Sequence, residues 1–210
     1  IQEASLDDEF MGVVQSTAHW SFAPGYRSRR SQTGVMTLST QAPLAQCNLL
    51  AVEPVLGTPK ATSITQFALR DSTDTLLVAN IHAVNFSLGL VEFSRQIDDL
   101  RTVLSAHTGP IILSGDFNTW RRARVDIVDA LMDDVGLERV DFAADHRTRF
   151  LGLPLDHLFV RGLSLDTATT QPVRSSDHNP LTAAFSLSPS ASAHYTVDAK
   201  AEGELEEVAL

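Results

Sequence analysis

The chain alternates between short β-rich runs and two longer stretches with helical spacing. Val35-Met36-Thr37-Leu38-Ser39, Gln46 to Val52, Ser63 to Leu69 and Thr75 to Val84 are β-rich or alternating, and Pro, Gly, Asp and Ser punctuate the gaps. Four successive strands with no room for helices between them predict antiparallel pairing. Leu90, Phe93, Ile97, Leu100 and Leu104 then recur at helical spacing, which predicts an amphipathic helix over 90–107, stopped by Gly109-Pro110. An apolar strand from Ile111 leads to a second helix around Arg122 to Val135, which ends at Gly136. Further strands are predicted at Leu155 to Val160, Leu163 to Ala168 and Pro180 to Phe185.

Upstream, Ile1-Gln2-Glu3-Ala4 reads as the last half of a buried strand already under way. Ser5 and Asp7 offer an N-cap to a short helix with Phe10, Met11 and Val14 on its inner face. Ser21 to Thr33, with Pro24-Gly25 and Arg27, Arg29 and Arg30, reads as a polar loop, either solvated or facing a phosphate. Strands in groups with few helices between them predict an α+β fold, with two mixed sheets stacked face to face and helices outside.

Composition narrows the picture. A chain of 210 residues suits one domain with a sizeable core. That domain spans 1–187, and Ser188 to Leu210, Ser/Ala-rich and then acidic, reads as a disordered tail. The formal charge of −10 speaks against a broad basic surface for long nucleic acid, though not against a nuclease whose carboxylates hold a metal. Single Cys47 excludes an internal disulfide and fits a reducing compartment, so a cytoplasmic location is expected. No apolar run approaches the roughly 20 residues of a membrane-spanning helix.

The candidate chemistry sits where strands end. Gly115-Asp116-Phe117-Asn118 closes an apolar run, and residues two apart on a strand share a face, so Asp116 and Asn118 would aim together. An Asx-turn is the bland alternative. Glu3, His82 with Asn85, and Asp177-His178-Asn179-Pro180 also lie at or beside strands. Asp156 interrupts an apolar run, where a carboxylate is costly unless paired, and His178 is its most natural partner. Together these groups could bind a hard cation such as Mg2+ through Glu3 and Asp177, and orient and deprotonate a water through Asp116 and Asn118. No phosphate-binding G-x-x-x-x-G-K-[ST] loop and no G-x-S-x-G elbow is present.

Gln2-Glu3, Thr33-Gly34-Val35, Asn80-Ile81-His82, Gly115-Asp116-Phe117-Asn118, Leu155-Asp156-His157 and Ser176-Asp177-His178-Asn179-Pro180 occur in that order. The set resembles the endonuclease/exonuclease/phosphatase superfamily, the DNase I-like fold, and the stretch from Asn80 to Gly89 is similar to its bacterial YafD-like subgroup. The resemblance implies a four-layer αββα sandwich and Mg2+-dependent phosphoester cleavage, with Mn2+ as a substitute. It implies Glu3 as the metal carboxylate, with Asp177 beside the metal. Asp116 and Asn118 would handle the attacking water, and His178, oriented by Asp156, would be the catalytic histidine. His82 and Asn85 would contact the scissile phosphate. Family members carry an earlier Asn-bearing strand, so the chain is expected to lack its first strand, as a fragment or as a shortened protein.

Three functions follow as expectations. The first is a nuclease acting as a monomer, with Arg122, flanked by Arg121 and Arg124, gripping phosphates and Trp120 stacking on a base; a solvated helix start and a buried anchor are the competing readings. The second is a phosphatase or phosphodiesterase for small-molecule or lipid phosphoesters. The third is a non-catalytic binding domain or inactive fragment.

Overall fold

The computed structural model describes residues 1–6, 12, 19–27, 31–54, 56–70, 72–87 and 89–187. In chain order these form β1 (Ala4–Ser5), β2 (His19–Arg27), β3 (Gln32–Ser39), β4 (Ala45–Val52), β5 (Pro59–Ala68), β6 (Thr75–His82), α1 (Val91–Ala106), β7 (Ile111–Asp116) and α2 (Arg122–Val135). There follow β8 (Glu138–Arg139), β9 (Arg149–Phe150), β10 (Leu153–Pro154), β11 (Asp156–Arg161), β12 (Leu163–Thr170) and β13 (Leu181–Leu187). The expected N-terminal helix and C-terminal tail fall outside the described residues.

A six-stranded sheet, ordered β4-β5-β6-β7-β11-β8, is the centre of the molecule. Its strands are antiparallel except β6 and β7, which run parallel because α1 carries the chain across between them. Phe93, Ile97, Leu100 and Leu104 of α1 are fully buried, as their spacing demands, and pack with Val128 and Leu131 of α2 on Ile64, Ala79, Ile81, Leu113 and Phe159. Each such side chain contributes about 1.5–3 kcal/mol by leaving water. The other face carries Ile112, Leu158 and Val160 against Leu163, Ala183 and Phe185 of the β12–β13 hairpin. Ala61 of the same sheet meets Ala23 and Val35 of a three-stranded sheet ordered β1-β3-β2. The described layers are therefore helix, sheet and sheet, the order of a DNase I-like sandwich.

One expectation needs correction. The polar loop over 21–33 is largely strand β2, antiparallel to β3 from His19↔Ser39 to Arg27↔Gln32. Pro24-Gly25 is not a turn but the site of a register shift on an edge strand, where a missing N–H and a bulge are tolerated. The four early strands do pair antiparallel, but not in one sheet. β3 belongs to the small sheet and β4 to the large one, so the chain changes layers between them.

Candidate active site

The site is a row of polar residues across three neighbouring strands. In the parallel β6–β7 ladder His82 lies opposite Asp116, and in the antiparallel β11–β7 ladder Asp156 lies opposite Asp116. Three strand ends thus bring His82, Asp116 and Asp156 side by side. Gly115 makes the spacing achievable. Its φ of +144° is open to glycine, and a Cβ there would sit 2.0 Å from the Ile81 carbonyl oxygen.

β7 ends at Asp116, so Asn118 does not reach the site by strand alternation. The chain turns through a left-handed Asn118 (φ 50°), and its N–H donates to Asp116 Oδ1 at 2.8 Å, an Asx-turn. The turn and the site are the same object. Asn118 Nδ2 donates to the Ala83 carbonyl at 2.9 Å, which fixes the amide with Oδ1 left for a ligand.

His178 Nδ1 donates to Asp156 Oδ2 at 2.7 Å, the pairing that the buried carboxylate required. This bond, opposed by desolvation and helped by the charges of Asp156, Asp116 and Asp177, pushes the His178 imidazole up to about 9. Burial and then the Asp156 charge push Asp116 up to about 6. Ligand atoms of Asp116, Asp156 and His178 all lie within 4.8 Å of one another. The clustered carboxylate oxygens repel one another and are hard donors, so a hard divalent cation fits this end of the sheet.

The other side of Asp116 is organised differently. His82 Nδ1 lies 3.3 Å from the Gln2 carbonyl, and its Nε2 lies 2.8 Å from Lys60 Nζ and 3.6 Å from Asp116 Oδ2. An ammonium can only donate, so Nε2 is the acceptor and Nδ1 carries the proton. Burial and the Lys60 charge push His82 down to about 4, leaving it neutral. Both ring nitrogens are engaged. The cation at this position is Lys60.

Lys60 was not singled out from the sequence, although it is one of only two lysines and opens a strand after Pro59. Its Nζ lies 3.8 Å from Glu53, a 1 % exposed carboxylate that accepts from the N–H groups of Asn85 and Phe86. Asn85 Oδ1 accepts from Trp120 Nε1 at 3.0 Å, which turns Nδ2 of Asn85 away from the indole.

Two of the three arginines are engaged within the protein, by backbone carbonyls. Arg124 is fully buried and donates to the carbonyls of Val84, Asn118 and Asn85 and to the Ser87 hydroxyl. It also lies over the Phe93 and Trp120 rings. Arg124 shapes the loop under the site and grips no phosphate. Arg121 donates to the Gly89 carbonyl, and Arg122, exposed on α2, pairs with Asp126 at 3.1 Å.

Of the two expected metal carboxylates, neither joins the compact cluster. Glu3 is largely exposed, with Oε1 3.9 Å from His82 Nε2. Asp177 is exposed, and its carbonyl accepts from Thr148. Both remain uncommitted carboxylates at the rim.

The fold is that of the DNase I-like sandwiches. Residues 1–178 match the Endonuclease/Exonuclease/phosphatase family, and the chain belongs to it. It is 40% identical over 188 residues to a UPF0294 protein of Yersinia pseudotuberculosis, covering 88% of this chain and 71% of that protein. Against a UPF0294 protein of Vibrio parahaemolyticus identity is 37% over 189 residues, covering 89% and 67%. Among solved structures, the human Nocturnin catalytic domain with bound sulfate is similar at a TM-score of 0.66 and 15% identity, covering 87% of this chain and 77% of that one. A mannosyl-6-phosphatase of Bacteroides thetaiotaomicron gives 0.60 and 15%, covering 85% and 80%. No helix among the described residues is long and apolar enough to cross a membrane.

Proposed function

We propose that the chain hydrolyses phosphodiesters, with water as nucleophile and a divalent cation, Mg2+ or Mn2+, as cofactor. The observation that carries this reading is the 2.7 Å Asp156–His178 pair set beside Asp116 across the β11–β7 ladder. Asp116, held near neutrality, takes a proton from the attacking water, and Asn118 Oδ1 orients that water. His178, protonated and aligned through Nδ1, donates from Nε2 to a phosphoryl oxygen. Asn85 Nδ2 and the Lys60 ammonium supply further donors on the opposite side. Glu3 and Asp177, the carboxylates left at the rim of the Asp116–Asp156–His178 cluster, would hold the cation, which when bound polarises the phosphorus–oxygen bond. The water oxygen forms the new bond to phosphorus, the ester bond breaks, and the alcohol leaves with a proton from solvent.

Nucleic acid is the substrate class the sequence favours, but of the side chains expected to grip it Arg124 is buried and Trp120 is fixed by its N–H and flanked by Arg121 and Arg124, which leaves Arg122 exposed on α2. The second reading, a small or lipid phosphodiester, is favoured by an apolar cavity that borders Asn85 and Asn118.

Purified protein, stripped with EDTA and reconstituted with Mg2+ or Mn2+, is offered bis(p-nitrophenyl) phosphate, plasmid DNA and RNA. Hydrolysis of the diester with metal and none in EDTA is expected. Activity that persists in EDTA removes the metal from the proposal, and hydrolysis of no substrate, with no metal binding by calorimetry, removes the enzyme.

A further inference from the structure

A cavity of about 540 Å3 opens beside the catalytic row, within the size range of small-molecule sites. Asn85 and Asn118 form its polar end; Phe86, Trp120, Phe150 and Leu155 form its walls. We propose that this cavity receives a hydrocarbon chain esterified to the scissile phosphate, so that the substrate is an alkyl- or acyl-bearing phosphodiester rather than a nucleotide. The inference rests on the phosphodiesterase reading above and names the substrate class of that same site.

The wall chemistry argues first. Trp120 Nε1 is spent on Asn85 Oδ1, Asn118 Nδ2 on the Ala83 carbonyl, and the Ser87 hydroxyl donates to Gly89 while accepting from Arg124. A base edge or a sugar would find few hydrogen-bond partners along these walls, and a buried polar group without a partner is costly. A hydrocarbon needs none.

The rim argues second. Phe86 and Phe150, which line the cavity, are 56% and 53% exposed. Apolar side chains clustered in water at the mouth of an apolar cavity mark a binding surface. Next to Phe150, Leu151 and Gly152 (φ 49° and 82°) make the two-residue turn of the β9–β10 hairpin, and Leu151 is 83% exposed at its tip.

The hairpin is not loosely attached. Arg149 donates to the Gly152 carbonyl at 2.9 Å and pairs with Asp145, and Arg147 shares Asp145 while reaching the Asp156 carbonyl at 3.3 Å. These contacts tie the apolar tip to the strand that carries Asp156. A chain in the cavity and a phosphate at the catalytic row would be held by one connected frame.

Calorimetry with methyl, butyl and hexyl phosphate, and with thymidine 5′-phosphate, tests this without turnover. Affinity should rise with chain length, towards the limit of about fourfold per fully buried methylene. In the Phe150→Ser variant that slope should flatten. In parallel, kcat/KM for methyl, butyl and hexyl p-nitrophenyl phosphate should rise in the same order and exceed that for thymidine 5′-p-nitrophenyl phosphate. A flat alkyl series, or tighter binding of the thymidine ligand than of hexyl phosphate, overturns the inference while leaving phosphodiester hydrolysis intact. A rising affinity series with no hydrolysis of any diester supports the cavity's assignment and sinks the catalytic reading instead.

Discussion

Two histidines flank Asp116, and the same side chain becomes two different chemical groups. His178 sits half-exposed with Nδ1 on a buried carboxylate and is pushed up to about 9. His82 is buried between a backbone carbonyl and an ammonium and is pushed down to about 4. The first is a cation poised to donate; the second is a neutral strut that fixes Lys60. Residue type therefore decides little at this site. The partner on each ring nitrogen decides the role.

The largest expected effect comes from removing the cation. His178→Ala should lower kcat for diester hydrolysis by at least about 100-fold, the usual worth of a positioned acid. His82→Gln should cost less than about tenfold, since an amide can replace a neutral acceptor. Equal losses in steady-state kinetics of the two variants would erase the contrast.

Next comes the spacing that holds the two histidines on either side of Asp116. Gly115→Ala drives a methyl into the Ile81 backbone, one residue from His82, and imposes a backbone angle that alanine disfavours. A stability loss of at least about 2 kcal/mol by urea denaturation is expected. A wild-type midpoint would mean that β6 and β7 are not as closely joined as the geometry requires.

Lys60→Met separates strut from cation. Substrate affinity should fall about tenfold, within the worth of one hydrogen bond to a charged group, while kcat changes less. A purely structural Lys60 would lower the melting temperature and leave KM alone.

The smallest effect is the pH dependence of stability in EDTA. His178, raised, contributes stability that is full below 6.5 and lost as pH rises through about 9. His82 and His157, lowered to about 4 and about 3 by burial, contribute stability that is full above 6.5 and lost as pH falls towards those values. Asp116, raised to about 6, works against the two lowered histidines between roughly 4 and 6 and blunts the acid limb. The melting temperature should therefore peak near 6.5 and decline from there towards 9, and His178→Ala should remove the alkaline decline.

Much of this was legible in the sequence because local patterns carried it. The burial of Phe93, Ile97, Leu100 and Leu104 follows from spacing alone, and Gly136 ends α2 in the left-handed conformation (φ 71°) that only glycine adopts freely. The Asp156–His178 pair followed from the cost of a lone carboxylate in an apolar strand. What stayed hidden depends on partners distant in sequence. Lys60 meets His82 only because β5 and β6 pair in one register, and Arg124 is buried only because the carbonyls of Val84, Asn85 and Asn118 converge beneath the site. Strand β2 escaped notice because a proline on an edge strand looks locally like a turn.

The central claim is that one histidine is charged and the other neutral at the pH where the protein works. Proton NMR titration of the EDTA-treated protein measures this directly, with the His178→Ala and His82→Gln spectra providing assignments. The account predicts that the His178 ring protons titrate near 9 and those of His82 near 4. Both rings titrating together near 6.5 would contradict it.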